Sequence, residues 1–161
     1  MHIWRLSRAR HLDTLPLGES ARRFGGRWNS PGRPCVYTSE SLEIALLEAL
    51  VHVNLEDLPD DLIAVQFELP DALIISLEEP LPPDWDAPPP YRPPTRTLGD
   101  RWLASRATLA LRVPASVLPR RCNVLLNSQH AAMSAVREIS REPLPWPKRL
   151  MAYLARKTIR S

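Results

Sequence analysis

Residues 39–53, SESLEIALLEALVHV, carry apolar side chains nearly all the way round a helix. Leu42, Ala45, Leu46, Ala49, Leu50 and Val53 follow the i, i+3, i+4 spacing of one face, and Ile44, Leu47 and Val51 form a second stripe. A helix of this kind is expected to be buried on two sides, which requires other elements above and below it. Ser39 is the expected N-cap, with Glu40 and Glu43 in the first turn where the helix dipole favours acids. Between the two stripes runs a narrow polar gap holding Glu48 and, one turn on, His52. Glu48 is either a solvated residue at the helix edge or a carboxylate facing a cavity, because burial without a partner is costly.

The segments around this helix are short and strand-like. HIWRL (2–6), RPCVYTS (33–39), LIAVQFEL (62–69), ALIISL (72–77), TLALRVP (108–114) and CNVLLN (122–127) each fit one strand. SAVREIS (134–140) fits a strand or a helix. TLGDRWLASRA (97–107) reads as a short helix with Trp102 and Leu103 inward. PWPKRLMAYLARK (145–157) reads as a closing helix with basic residues at its end. Residues 7–32 are rich in turns. Eight of the eighteen prolines fall within 80–94, so 78–96 is expected to be an extended surface loop or a lid. The mixture implies one α+β domain over 1–161, built on a mixed, mostly antiparallel sheet with packed helices.

No run of eighteen apolar residues is present, so no membrane span is expected. MHIWRLSRAR has no long apolar segment, so a secretory signal is not expected and the cytoplasm is the expected location. Cys35 and Cys122 are far apart and the four histidines are scattered, without the spacings of a zinc site. No metal and no bound cofactor are expected.

The net charge of +3 conceals a strong segregation. Residues 1–37 carry seven Arg against two acids. Residues 38–86 carry thirteen acids and no Lys or Arg. Residues 87–161 carry fourteen basic residues against three acids. Either these segments neutralise one another across the fold, or the basic ones face an anionic ligand. A non-catalytic nucleic-acid-binding module using the basic last third is a further possibility, although no helix-turn-helix pattern stands out.

FGGRWNSPGRPCVYTSES (24–41) is densely specified for a loop. Gly25-Gly26 allows a tight turn and close approach of a ligand, and Arg27 offers a two-pronged grip on phosphate or carboxylate. No GxGxxG or P-loop pattern is present. Tyr37 and Trp28 are each either core rings or platforms for a flat base.

Together, GGRWN, SPG, PCVYTSES and ALLEALVH resemble the signature of RES-domain proteins, the toxin half of bacterial RES–Xre toxin–antitoxin pairs. The resemblance continues through VPASVLPRRCNVLLNSQH (113–130) and spans most of the chain apart from 78–96. It implies a fold similar to ADP-ribosyltransferase toxins and an enzyme that consumes NAD⁺ as substrate, by hydrolysis or phosphorolysis of the nicotinamide–ribose bond. Some relatives instead transfer ADP-ribose to a protein. Arg27, Tyr37 and Glu48 match the family's Arg, Tyr and Glu. Ser116 stands for the family Ser, in a Pro114-Ala115-Ser116 run where relatives often have Pro-Ser-Ala. Trp28, Asn29, Asn127 and Ser128 complete the implied substrate contacts, with Ser128 replacing a common Pro. In the implied mechanism Arg27 anchors the pyrophosphate, Tyr37 packs on nicotinamide, Glu48 stabilises the cationic ribose and Ser116 bonds the ribose end. The implied partner is an Xre-type antitoxin that binds DNA, so that contact with DNA is indirect; a homodimer is a further expectation. All of this requires Arg27 and Glu48 to meet in one cleft.

Overall fold

The computed structural model describes residues 1–52, 59–91, 93–144 and 146–152. Seven strands form one sheet: β1 (His2–Arg8), β2 (Val36–Ser39), β3 (Leu62–Glu68), β4 (Ile74–Ser76), β5 (Ala110–Ala115), β6 (Leu118–Leu126) and β7 (Arg137–Pro143). Their order is β4-β5-β6-β2-β1-β3-β7. Only β4 and β5 run parallel; the remaining neighbours are antiparallel. Helices α1 (Glu19–Phe24), α2 (Leu42–His52) and α3 (Pro93–Ser105) accompany the sheet. The α+β expectation therefore holds. Among the described residues, no helix is long and apolar enough to cross a membrane.

Period-two alternation in the central strands builds two cores on opposite faces. Val36, Val124, Leu126 and Ala110 join Ile3, Val65 and Phe67 on one side. Cys35, Leu125, Leu111 and Val113 join Trp28, Trp102 and Leu103 on the other. Trp102 and Leu103 are thus inward on α3, as their spacing predicts.

The helix over 39–53 differs from its reading in two ways. Ser39 belongs to β2, where its Oγ donates to Asn123 Oδ1 at 2.8 Å. The cap is Ser41, whose Oγ accepts from the Ile44 N–H at 3.4 Å; a serine two residues on serves because it already lies outside the strand. The helix is also covered on one side only. Ile44 and Ala45 are buried against β1, β2 and β6, while Leu47 and Val51 are exposed. Val53 lies outside the described residues.

Four other boundaries shift. Residues 7–32 contain α1 as well as turns. α3 begins at Pro93, inside the proline-rich segment, because a proline in the first turn gives up no helical hydrogen bond. The rest of that segment is not wholly a surface feature: Leu81 and Trp85 pack against the second core. SAVREIS resolves into a 3₁₀ turn (Ala131–Ala135) followed by β7. The closing helix is seen at 148–152, and its remainder lies outside the described residues.

The charge segregation is spent largely on the fold. Glu40 pairs with Arg112 at 2.8 Å and Arg121 at 3.4 Å, Asp61 with Arg8 at 2.7 Å, and Glu68 with Arg137 at 2.5 Å. Acids of the middle segment thus meet arginines of both basic ones.

Candidate active site

α1 stops at Gly25, whose φ of 71° lies in the left-handed region that favours glycine, and whose N–H caps Ala21 O at 2.8 Å. The loop that follows is organised by Asn29, which is fully buried. Its Nδ2 donates to Ala21 O and Arg33 O, both at 2.9 Å, and its Oδ1 accepts from the Tyr37 hydroxyl at 2.7 Å. That hydroxyl also accepts from the Trp28 N–H at 3.0 Å. Gly26 sits so close that a Cβ there would lie 2.4 Å from the Tyr37 hydroxyl. Glycine at 26 is therefore needed for close approach. Tyr37 is half-buried, with its hydroxyl enclosed by Trp28 and Asn29, and that desolvation pushes the hydroxyl well above the ordinary tyrosine range.

α3 braces this loop from outside. Gly99 lies against the Trp28 backbone, Asp100 Oδ1 accepts from the Ser30 N–H at 2.9 Å, and Arg96 Nε donates to Gly26 O at 3.0 Å. A glycine inside a helix costs about 1 kcal/mol relative to Ala, so Gly99 is a sequence signal of close backbone contact that the helical periodicity alone did not convey.

α2 presents Glu48 to the same cleft. Its Oε1 accepts from Asn123 Nδ2 at 2.6 Å, and Asn123 is itself held by Ser39. His52 Nε2 lies 3.8 Å from the other carboxylate oxygen. The carboxylate is thereby aimed from the helix toward the sheet.

Arg27, Tyr37, Glu48, Trp28 and Ser116 all line one cleft of about 440 Å³. This falls within the range of roughly 300–1,000 Å³ typical of small-molecule sites. Arg27 is not free within it. Its Nη1 donates to the carbonyls of Trp85 and, at 3.0 Å, Ala87, and its guanidinium stacks 4.9 Å from the Tyr91 ring. The proline-rich segment thus closes over the arginine. Trp28 lines the cleft while remaining a core residue, with its ring centroid 6.2 Å from that of Trp85.

Three expected substrate contacts are placed elsewhere. Asn29 is absent from the cleft wall because its side chain is consumed inside the loop. Asn127 is buried, donating to Leu103 O at 2.9 Å and accepting from the Gln129 N–H at 3.1 Å. Ser128 Oγ bonds Leu17 O at 3.2 Å. Asn123, Tyr91 and Arg5 line the cleft in their stead; Asn123 falls within the 113–130 segment that carries the resemblance but was not singled out there. Among the described residues, no group of three His, Cys, Asp or Glu is placed to hold a metal.

Fold and site together define a small α+β domain that brings a guanidinium, a phenol and a carboxylate into one ligand-sized cleft. The RES domain model matches residues 2–147, and the chain belongs to the RES-domain family of toxins. It is 36% identical over 128 residues to a protein named Toxin Res of Photorhabdus laumondii, covering 79% of this chain and 81% of that one. It is also 36% identical over 135 residues to the Prs ADP-ribosylating toxin of a Sphingobium species, covering 80% and 83%. The fold is similar to that seen in the crystal structure of the M. tuberculosis MbcT–MbcA toxin–antitoxin complex. There the TM-score is 0.67 at 20% identity, over 95% of this chain and 87% of that one.

Proposed function

We propose that this protein cleaves the nicotinamide–ribose bond of NAD⁺, with water or phosphate as acceptor. The observation that carries the reading is the shared cleft: Arg27, from the loop after α1, and Glu48, from α2, both line it together with Tyr37 of β2. Nicotinamide leaves as a neutral ring and the ribose carbon becomes cationic. Glu48, oriented by Asn123, stabilises that cation, an electrostatic effect worth most when the charge is held in place beforehand. Tyr37 packs on the nicotinamide ring, and Ser116 bonds the ribose end. Arg27 anchors the pyrophosphate after exchanging the carbonyls of 85–87 for phosphate oxygens, which makes the proline-rich segment a lid that moves on binding.

A second reading is favoured by one observation, the name of the Sphingobium relative: transfer of ADP-ribose to a protein. Both readings share the bond that breaks and differ in what attacks. The test is to incubate the purified protein with labelled NAD⁺, with and without phosphate, and to identify the products. Free ADP-ribose or its phosphate supports the first reading, label retained on protein supports the second, and unconsumed NAD⁺ overturns both.

A toxin of this kind requires restraint. The proposed partner is an antitoxin of Xre type that covers the cleft mouth, in keeping with the toxin–antitoxin complex in which the similar fold occurs.

A further inference from the structure

A second recess, of about 300 Å³, shares no lining residue with the cleft. Three segments wall it: Arg33 and Pro34 before β2, Leu103, Ala104 and Arg106 at the end of α3, and Gln129 after β6. Asn127 holds two of these walls together. Its buried side chain donates to Leu103 O at 2.9 Å and accepts from the Gln129 N–H at 3.1 Å. The third wall is fixed from behind, where Arg33 O accepts from Asn29 Nδ2 at 2.9 Å. The mechanism proposed above uses no part of this recess.

Its chemistry is cationic. Two guanidiniums and a carboxamide line it, and no carboxylate does. Arg106 Nη2 reaches Gln129 Oε1 only at 3.4 Å, and among the described residues no acid pairs with Arg106. Arg33 Nε stands 3.5 Å from Asp100 Oδ1, an oxygen already engaged by the Ser30 N–H at 2.9 Å. A guanidinium carries five N–H donors, and these contacts occupy few of them. Arg106 is also held in an uncommon backbone conformation. Its φ of 50° lies in the left-handed region, just past a helix end, where glycine is the usual occupant. The side chain is kept there at a conformational cost.

One effect opposes an anion here, the negative end of the α3 dipole. It is blunted because the nearby carbonyls are already capped. Trp102 O accepts from Ser105 Oγ at 2.8 Å, and Leu103 O accepts from Asn127. Two full positive charges outweigh what is left of a dipole equivalent to about half a charge.

We propose that this recess is a second ligand site, separate from the cleft, that takes a phosphate group on Arg33 and Arg106. The guanidinium fork matches phosphate oxygens in pairs. The phosphate is either the free inorganic ion or the ester of a small molecule whose body rests on Pro34 and Ala104. The proposal does not depend on what the cleft binds or cleaves.

The test is calorimetric titration with inorganic phosphate and, separately, with AMP, at constant ionic strength. Wild type, Arg106→Gly and Arg27→Gln are compared. Glycine suits a φ of 50°, so Arg106→Gly is expected to fold with a Tm no lower than wild type. Should it not fold, Arg106→Gln removes the charge and keeps much of the side chain. A saturable event is expected with at least one of the two anions. It is expected to weaken roughly 10-fold or more in the Arg106 variant, the loss of a hydrogen bond to a charged group, and to persist in Arg27→Gln. Absence of saturable binding by either anion overturns the site. So does binding that is indifferent to Arg106, or an Arg106-dependent event that is also lost in Arg27→Gln. Tighter binding of phosphate assigns the site to the free ion, and tighter binding of AMP assigns it to an ester; both are consistent with the site. NAD⁺ consumption is measured in parallel. Its absence beside an Arg106-dependent event would sink the NAD⁺ reading and leave this site standing.

Discussion

Asn123 on β6 donates to Glu48 on α2 at 2.6 Å, the shortest route by which the sheet fixes the direction of the helix carboxylate. A hydrogen bond to a charged group contributes about 1.5–3 kcal/mol, equivalent to roughly 10–100-fold in rate when it acts on the transition state. Asn123→Ala is expected to lower kcat for NAD⁺ cleavage within that range with KM little changed. An unaltered kcat would show that Glu48 needs no such positioning.

Glu48→Gln keeps an oxygen for Asn123 to bond and removes the charge. The variant is expected to fold with an unchanged Tm and to lose about 10²–10³-fold in kcat, the scale on which a preorganised electrostatic contact acts. Steady-state assays of NAD⁺ loss check this, and near-normal turnover would remove Glu48 from the proposed mechanism.

A methyl group at position 26 would stand 2.4 Å from the Tyr37 hydroxyl and 2.9 Å from Asn29 Oδ1. Gly26→Ala must therefore displace Tyr37 and is expected to cost about 1–3 kcal/mol, the usual range for overpacking. In a Tyr37→Phe background the closest of these contacts is gone although the ring Cζ, 2.8 Å away, remains, so the clash is partly relieved and the two substitutions should be less than additive by urea denaturation. Strict additivity would contradict the contact.

Glu40 joins the start of α2 to β5 through Arg112. Burial raises its carboxyl, but the Arg112 hydrogen bond and the Cys122 N–H outweigh this and hold it below the ordinary glutamate value of 4.5. A depressed folded value means that the unfolded chain takes up the proton first as pH falls. The contribution is therefore whole above 4.5 and is lost as pH drops below it. Thermal melts of Glu40→Gln are expected to show lower stability than wild type at neutral pH and convergence at acid pH. A constant difference across that window would refute the assignment.

The strands at 2–6, 33–39, 62–69, 72–77, 108–114 and 122–127 were legible because each alternates over a short span between turn residues. The inward residues of α3 were legible for the corresponding reason. Taken singly, Arg27, Tyr37 and Glu48 each admitted a plain structural reading; it was their combination with the surrounding motifs that singled them out, and the structure places all three on one cleft. Asn127 and Ser128 sit in an equally motif-like segment, yet their side chains serve neighbouring backbone. Asn29 likewise serves its own loop, where a short amide can satisfy three separate groups at once.

What the sequence determined by itself was the set of elements and the chemical groups on offer, since periodicity, turn residues and caps act over a few positions and are written in local order. The tertiary structure decided which groups meet. It covered α2 on one side instead of two, set carbonyls of the proline-rich segment on Arg27 and joined Asn123 to Glu48 across 75 positions. Those outcomes depend on strand order, and pairings between distant segments leave no trace in the spacing of either one.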